Sequence, residues 1–483
     1  MTSEAERPAL LWLRDALRIA DNPALTAAVA RGRPIVALFV LDEVSPDLRP
    51  LGGASRWWLH RSLDAFIRRF EAIGGRVVLR RGSASEVVSA VAEEIDAAEI
   101  HWNRRYLPAA VAIDRELKAH LRSEGRRVTS YRAGLLHEPP EVKTAGGGAF
   151  RVFTPFWKAC RATGPFREPL PAPMAIRRPS REIASLRLDD LGLLPRAPYW
   201  AEGLDRSWTP GEVGATAGLE RFLDHGLRDY AVLRDRPDLE HGSRLSAHLR
   251  FGEISPFTVA AAVATRVAAD PSLAADGDKF LAELGWREFA HHLAFHFGDL
   301  ATRNFQPRFD AFPWHADGAL VEAWRRGRTG YPIVDAGMRE LWETGTMHNR
   351  VRMVTASFLA KQGLVDWREG EHWFFDTLVD ACPAVNPASW QWVAGSGADA
   401  APYFRIFNPI VQGTKFDPDG AYVRRWVPEL AGLPAPAIHS PWTVPTAILA
   451  RTGIELGRTY PAPIVDHARA RERALAAFAT LER

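Results

Sequence analysis

The chain has 483 residues, too many for one ordinary hydrophobic core, so two or three domains are expected. Hydrophobic residues make up 47% and charged residues 25%, an ordinary globular balance, and a net charge of +3 is too small to demand a nucleic-acid partner by itself. Two cysteines, Cys160 and Cys382, exclude a disulfide framework, a four-cysteine zinc site and a cysteine-held iron–sulfur cluster.

No apolar run reaches the length of a membrane span, and the opening MTSEAERPALLWLR lacks a basic-then-apolar leader. A reducing, cytoplasmic location is therefore the expectation. Apolar runs at Ala9–Leu13, Pro34–Leu41, Arg76–Leu79 and Glu99–Trp102 predict buried parallel strands. Helical periodicity separates them at Ser55–Ala72, Ser85–Ile95 and Ala109–Ser123. Strands alternating with helices predict a doubly wound α/β domain over residues 1–133. The chain continues past its first strand as Arg14-Asp15-Ala16-Leu17-Arg18, with no GxGxxG, and no Walker loop occurs anywhere. This sheet is a poor candidate for an ordinary dinucleotide or nucleoside-triphosphate site.

Residues 134–208 read as a long surface linker, rich in proline at Glu138-Pro139-Pro140 and Pro169–Pro173 and flexible at Gly146-Gly147-Gly148. Within it, Phe150–Cys160 has the pattern of an ordered piece. From Gly211 onward helical periodicity continues with no strand run. Residues 209–483 are thus expected to form an all-helical body, ending near Pro461 with a short helix over Pro463–Leu481.

Four strings in the helical region carry candidate chemistry. Asn386-Pro387 suits a helix start with Asn386 as N-cap, and on that helix Trp390 and Trp392 diverge, so at least one meets something other than the core. Asn349, Arg352 and Met353 share a helical face, either a half-apolar, half-anionic pocket wall or an ordinary amphipathic surface. Glu283 and Arg287 are spaced for a helix salt bridge, yet Trp286 beside Arg287 also suits stacking on a base and holding a phosphate. Gly242-Ser243-Arg244-Leu245-Ser246 combines a glycine, two hydroxyls and a cation, which can cradle a pyrophosphate or simply cap a helix.

Together these strings resemble the cryptochrome/photolyase family. The matching motifs begin with Leu11-Trp12-Leu13-Arg14, Asp21-Asn22-Pro23 and Gly53-Ala54-Ser55-Arg56-Trp57-Trp58-Leu59-His60. They continue with Ser243-Arg244-Leu245-Ser246, Phe251-Gly252-Glu253-Ile254-Ser255-Pro256, and Thr329-Gly330-Tyr331-Pro332-Ile333-Val334-Asp335-Ala336. Trp390-Gln391-Trp392, Pro402-Tyr403-Phe404-Arg405-Ile406-Phe407-Asn408-Pro409 and Gln412-Gly413-Thr414-Lys415-Phe416-Asp417 complete the series, in family order over nearly the whole chain. The resemblance is strongest to bacterial photolyases of cyclobutane pyrimidine dimers, of the plant-cryptochrome-like or class I type.

The resemblance implies an α/β antenna domain, a linker and a helical domain holding FAD in a bent shape, reduced in the active form. By that likeness Tyr230, Gly242, Ser243, Leu245 and Ser246 surround its phosphates and ribityl chain, while Asn349, Arg352, Asp380 and Asn386 surround the isoalloxazine. Glu283, Trp286, Arg287, Asn349, Met353 and Trp392 match the lesion-binding positions, and Arg234, Arg287, Arg350, Arg405 and Lys415 match contacts to flanking DNA phosphates. Trp390, Trp367 and Trp314 match the chain of tryptophans that carries electrons inward, with Trp373 as a side branch. The implied partner is DNA containing cyclobutane pyrimidine dimers, split under blue light by electron transfer to a flipped-out lesion. A monomer with neither a metal nor a membrane association is expected.

Within the family, photolyases of (6-4) lesions use a histidine pair where this chain has the segment Met347–Met353, and plant-type photoreceptors usually carry Asp in place of Asn386. Dimer repair is therefore the expectation, with a cryptochrome-like photoreceptor as the alternative. Gly242 replaces a usual Thr, Cys382 a common Asp, and Leu107 a Glu tied to antenna binding. Methenyltetrahydrofolate is the expected second chromophore, with a deazaflavin or no antenna as the alternatives.

Overall fold

The structure, a computed structural model, describes residues 6–399, 404–435 and 437–482. The chain divides into two compact units, Met1–Arg228 with Ser243–Gly298, and Asp229–Gly242 with Asp299–Arg483.

The first unit is built on five parallel strands: β1 (Ala9–Leu13), β2 (Ile35–Leu41), β3 (Val77–Arg81), β4 (Glu99–Asn103) and β5 (Arg127–Tyr131). They lie in the order β3-β2-β1-β4-β5, with Leu11 of β1 level with Ala37 on one side and His101 on the other. Strands buried on both faces read as continuous apolar runs, which is why β1 and β2 are plain in the sequence. β5 is not, because the edge strand RVTSY buries only alternate residues. Helices Gly53–Ala72, Ala84–Glu94 and Pro108–Ser123 connect the strands, and Val88, Val91, Leu117 and Leu121 join Leu10, Val36, Leu38 and Ile100 in one core.

The same unit contains ordered pieces of the proline-rich region. Helix Phe153–Ala162 buries Phe153, Phe156 and Cys160, spaced three and four apart on one face. That face meets the 24-residue helix Ala274–Phe297, with the Phe156 ring 5.2 Å from Phe289. Helix Pro256–Ala269 opens as its sequence demands, with the Ser255 hydroxyl accepting from the Thr258 N–H and proline next in line.

The second unit is helical, with no strand among its described residues. Trp324, Val334, Met338, Val351, Phe358, Trp367, Phe374, Trp390 and Tyr422 form its core. Helices Pro332–Thr344, Asn349–Ser357, Trp367–Thr377 and Val385–Ala394 supply most of these side chains. The first of them ends on Gly345, whose φ of 66° closes the last turn in the left-handed region. The terminal helix runs His467–Ala479, starting later than its periodicity suggests because Asp466 caps it by accepting from the Arg469 N–H. Among the described residues no helix is long and apolar enough to cross a membrane.

Candidate functional site

In the second unit, helix Asn349–Ser357 begins at His348, whose Nδ1 accepts from the Arg350 N–H at 3.2 Å. Burial pulls this imidazole down to about 4, so it stays neutral and able to accept. One turn in, Arg352 aims a two-pronged fork at Asp380, Nη1 to Oδ1 at 3.1 Å and Nη2 to Oδ2 at 3.0 Å. Its Nε donates to the Met347 carbonyl at 2.8 Å. A largely buried ion pair of this kind stabilises only when its remaining donors are satisfied, and these contacts do that. Met353 packs against the core, while Asn349 is exposed.

Asn386 is not the N-cap that Asn-Pro suggested. Helix Val385–Ala394 starts one residue earlier, and the Asn386 side chain instead donates from Nδ2 to the Glu371 carbonyl at 3.0 Å and to Glu371 Oε1 at 2.8 Å. A main-chain carbonyl only accepts, so the NH2 end must face Glu371 and Oδ1 is the atom left over. The sequence signal for this pairing was absent, since Glu371 lies on a different helix, Trp367–Thr377.

Further along the Asn386 helix, Trp390 turns into the core, edge-on to Phe374 at 4.9 Å and to Trp324 at 6.1 Å. Gly370 makes room for it: a Cβ there would sit 2.1 Å from the indole. Trp392 lies on the core's margin and donates its N–H to the Asp399 carbonyl at 2.9 Å. The divergence of the two indoles expected from their spacing is thus observed. Trp367 is wholly buried and donates to Asn304 Oδ1 at 2.9 Å, whereas Trp314 is partly exposed beside Phe312. Trp373 stacks on the exposed Trp342, ring centroids 6.1 Å apart.

Of the basic residues singled out, Arg350 pairs with Asp235 at 2.6 Å, and its guanidinium lies 4.5 Å from the Phe416 ring centre that Lys415 also approaches, at 5.1 Å. Arg234 lies 5.6 Å from the Tyr230 ring. Arg405 is exposed beside Phe407, and its carbonyl receives the buried Lys361 ammonium. Pro402 and Tyr403 lie outside the described residues.

The first unit holds Ser243, Leu245 and Ser246. Arg244 between them has a φ of 55°, and its guanidinium lies 4.1 Å over Trp208 while donating to the Ser207 carbonyl at 3.2 Å. Ser243 Oγ accepts from the Leu245 N–H at 3.3 Å. A left-handed non-glycine residue held by its own side chain is the kind of local strain found at binding turns. At neighbouring Gly242 a Cβ would meet nothing within 4 Å, so packing does not demand the glycine. On helix Ala274–Phe297, Glu283 pairs with Lys279 at 3.0 Å and Arg287 with the buried Glu288 at 3.2 Å. Trp286 between them is half-buried, one face covered by Phe153.

The carboxyl ends of β1 and β4, where strand order reverses, hold a further group around Arg14, whose motif matched the family without a role being assigned to it. There Arg14 lies 4.2 Å over Trp12, and donates to Asp114 and to the Asn103 carbonyl. Open α/β sheets bind ligands at such a point.

Residues 9–174 match a family model described as DNA photolyase, and residues 280–480 one described as the FAD binding domain of DNA photolyase. The chain is 49% identical to the deoxyribodipyrimidine photo-lyase of Agrobacterium fabrum, over 99% of its own length and 98% of that relative's. The chain belongs to the photolyase/cryptochrome family. Cryptochrome-2 of Arabidopsis thaliana is 37% identical over 97% of the chain and 78% of that protein. The crystal structure of a bacterial class III photolyase from Agrobacterium tumefaciens superposes with a TM-score of 0.96 and 49% identity, covering all of this chain and 99% of that one.

For a member of the photolyase/cryptochrome family, the α/β unit with a parallel sheet and the helical FAD-binding region are the expected architecture. The donor set fits a flavin. Asn386 holds an amide oxygen that could accept from a ring N–H, and Arg352 with Asp380 forms a paired cation and anion that could meet a polar ring edge.

Proposed function

We propose that the chain is a DNA repair photolyase that splits cyclobutane pyrimidine dimers, using reduced FAD and blue light. The observation that carries this reading is the likeness, across 99% of the chain, to a protein named deoxyribodipyrimidine photo-lyase. Asn349, Arg352, Asp380 and Asn386 hold the flavin ring, and Tyr230, Gly242, Ser243, Leu245 and Ser246 hold the phosphates and ribityl chain. Bound there in its reduced state, FAD would supply the light-driven, recoverable electron that opening of the cyclobutane ring requires.

The chain's own residues bind and orient the lesion. Trp286 and Trp392 stack on bases extruded from the duplex, and a damaged pair is easier to extrude than an intact one. Met353 and Asn349 contact the lesion, Glu283 hydrogen-bonds it and stabilises the charge that develops there, and Arg234, Arg287, Arg350, Arg405 and Lys415 hold flanking phosphates. Arg287 and Arg350 contribute less charge than their number suggests, because Glu288 and Asp235 partly neutralise them. Trp390, Trp367 and Trp314 carry electrons inward during activation, and their burial, complete at Trp367 and partial at Trp314, supports that order. The Arg14 group is where the second chromophore, methenyltetrahydrofolate, docks by the general rule for such sheets. The protein acts as a cytoplasmic monomer.

The test is lesion choice. Reduced protein is illuminated with oligonucleotides carrying either a cyclobutane dimer or a (6-4) lesion. Light-dependent restoration of the dimer alone supports the proposal. A long-lived signalling state with neither lesion restored would assign the chain to the photoreceptors.

A further inference from the structure

We propose that Phe153 is a positioning residue for Trp286, backing the indole so that a single face is offered to an extruded base. The inference rests on the reading above, in which Trp286 stacks on the lesion.

The two rings are 3.8 Å apart between centroids and within 10° of parallel, so Phe153 covers one face of the indole. Phe289 closes an edge, at 6.0 Å and 75°. Trp157 lies nearly parallel to Phe153, at 6.5 Å and 11°. A Cβ at Gly285 would lie 2.7 Å from Trp157, so the residue before Trp286 has no side chain where Trp157 rests. Behind this stack, helix Phe153–Ala162 is seated by its buried apolar face, and the Phe150 N–H donates to His292 Nε2 at 3.0 Å. Phe153 is 9% exposed, whereas Trp286 is half-buried. The arrangement runs from an anchored helix through a buried ring to a partly open one.

A partly exposed indole without a neighbour samples several rotamers and loses that freedom on stacking. Phe153 removes the freedom beforehand, so more of the stacking free energy appears as affinity. Ordering a free side chain on binding costs roughly 0.5–1.5 kcal/mol. Restoring that cost should weaken lesion binding roughly two- to tenfold.

The experiment measures dark binding of the flavin-loaded full chain to a dimer-containing oligonucleotide and to its undamaged counterpart. Phe153→Leu, Phe153→Met, Phe153→Tyr, Trp286→Ala and the double variant Phe153→Leu with Trp286→Ala are compared with the parent. The expected result has four parts. Phe153→Leu and Phe153→Met lose roughly two- to tenfold on the lesion. Neither changes affinity for undamaged DNA, Phe153→Tyr binds like the parent, and Phe153→Leu adds no loss once Trp286 is gone. Phe153→Met fills the volume without a planar face, so it still answers the question if Phe153→Leu loses flavin or helicity. Parent-like lesion binding by Phe153→Met while Trp286→Ala binds weakly would overturn the inference alone, as would losses that add in the double variant. No lesion preference in the parent, or none lost in Trp286→Ala, would instead overturn the lesion-stacking reading and this inference with it.

Discussion

The Asn386 amide donates twice to Glu371, to its carbonyl at 3.0 Å and to its carboxylate at 2.8 Å, and so keeps only its oxygen for another partner. A hydrogen-bond acceptor held this firmly suits a ring nitrogen that carries a proton, and mismatches one that does not. In the proposed flavin site this pairing would favour the reduced ring.

Replacing Asn386 with Asp should remove both donors and set two carboxyl groups against each other out of water. The loss of the two bonds costs about 1–3 kcal/mol. Photoreduced flavin in Asn386→Asp should reoxidise in air faster than in the parent, followed by the visible spectrum. Equal reoxidation rates would show that Asn386 does not govern the flavin's redox state.

Gly370 is demanded by Trp390. The Cβ of Gly370→Ala would fall 2.1 Å from the indole, and helix and ring would have to part. Overpacking of this kind costs about 1–3 kcal/mol. Both a lower thermal midpoint and slower photoreduction are expected, because the displaced ring is the innermost of the proposed electron-carrying tryptophans. A lower midpoint with unchanged photoreduction would separate Trp390 from that role.

Arg352→Ala leaves the nearly buried Asp380 without its fork. Breaking a buried pair from one side costs 3–5 kcal/mol, and partial exposure of the guanidinium places this case near about 3 kcal/mol. Arg352→Lys keeps the charge but loses the two-pronged geometry, so it should recover stability in part and flavin content less. Chemical denaturation and the flavin-to-protein ratio report the two effects.

Acidity should loosen the first unit, His292 among the places affected. Burial pulls His292 down to about 4 from an ordinary 6.5, and its Nε2 accepts from the Phe150 N–H. The unfolded chain then binds a proton between those values that the folded chain refuses. Stability from this group is therefore complete above the ordinary value and falls as pH drops toward the folded one. His137, pulled to about 4 by burial, acts in the same direction. His292→Gln keeps an acceptor without the titration and should flatten the decline in thermal midpoint over that window.

Much of the fold was legible because its interior strands are apolar throughout. Ala9–Leu13 emerges at its observed bounds, and Gly53–Ala72 within two residues at one end. β5 was missed because an edge strand with Arg127, Thr129 and Ser130 carries no such run. In the site, spacing alone placed Trp390 and Trp392 on divergent sides, and the resemblance named Asn386. Neither could show Glu371 holding that amide, because a contact between residues fifteen apart on different helices leaves no local period. For the same reason Asn386 looked like a cap: Asn-Pro has a local explanation, and a tertiary bond displaced it. Phe150–Cys160 was legible as an ordered piece of a proline-rich stretch, but the stacking of Phe153 on Trp286 was not, because it joins residues far apart in the sequence.

The central claim is that this chain, with reduced FAD bound, reverses cyclobutane dimers in light. Its most direct measurement is chromatographic recovery of intact thymines from a dimer-bearing oligonucleotide mixed with chemically reduced, flavin-loaded protein and given blue light. Recovery that requires light, and that survives in Trp367→Phe because chemical reduction bypasses the tryptophan chain, is the predicted result. Dimers left intact by fully reduced, flavin-replete parent protein would contradict the account.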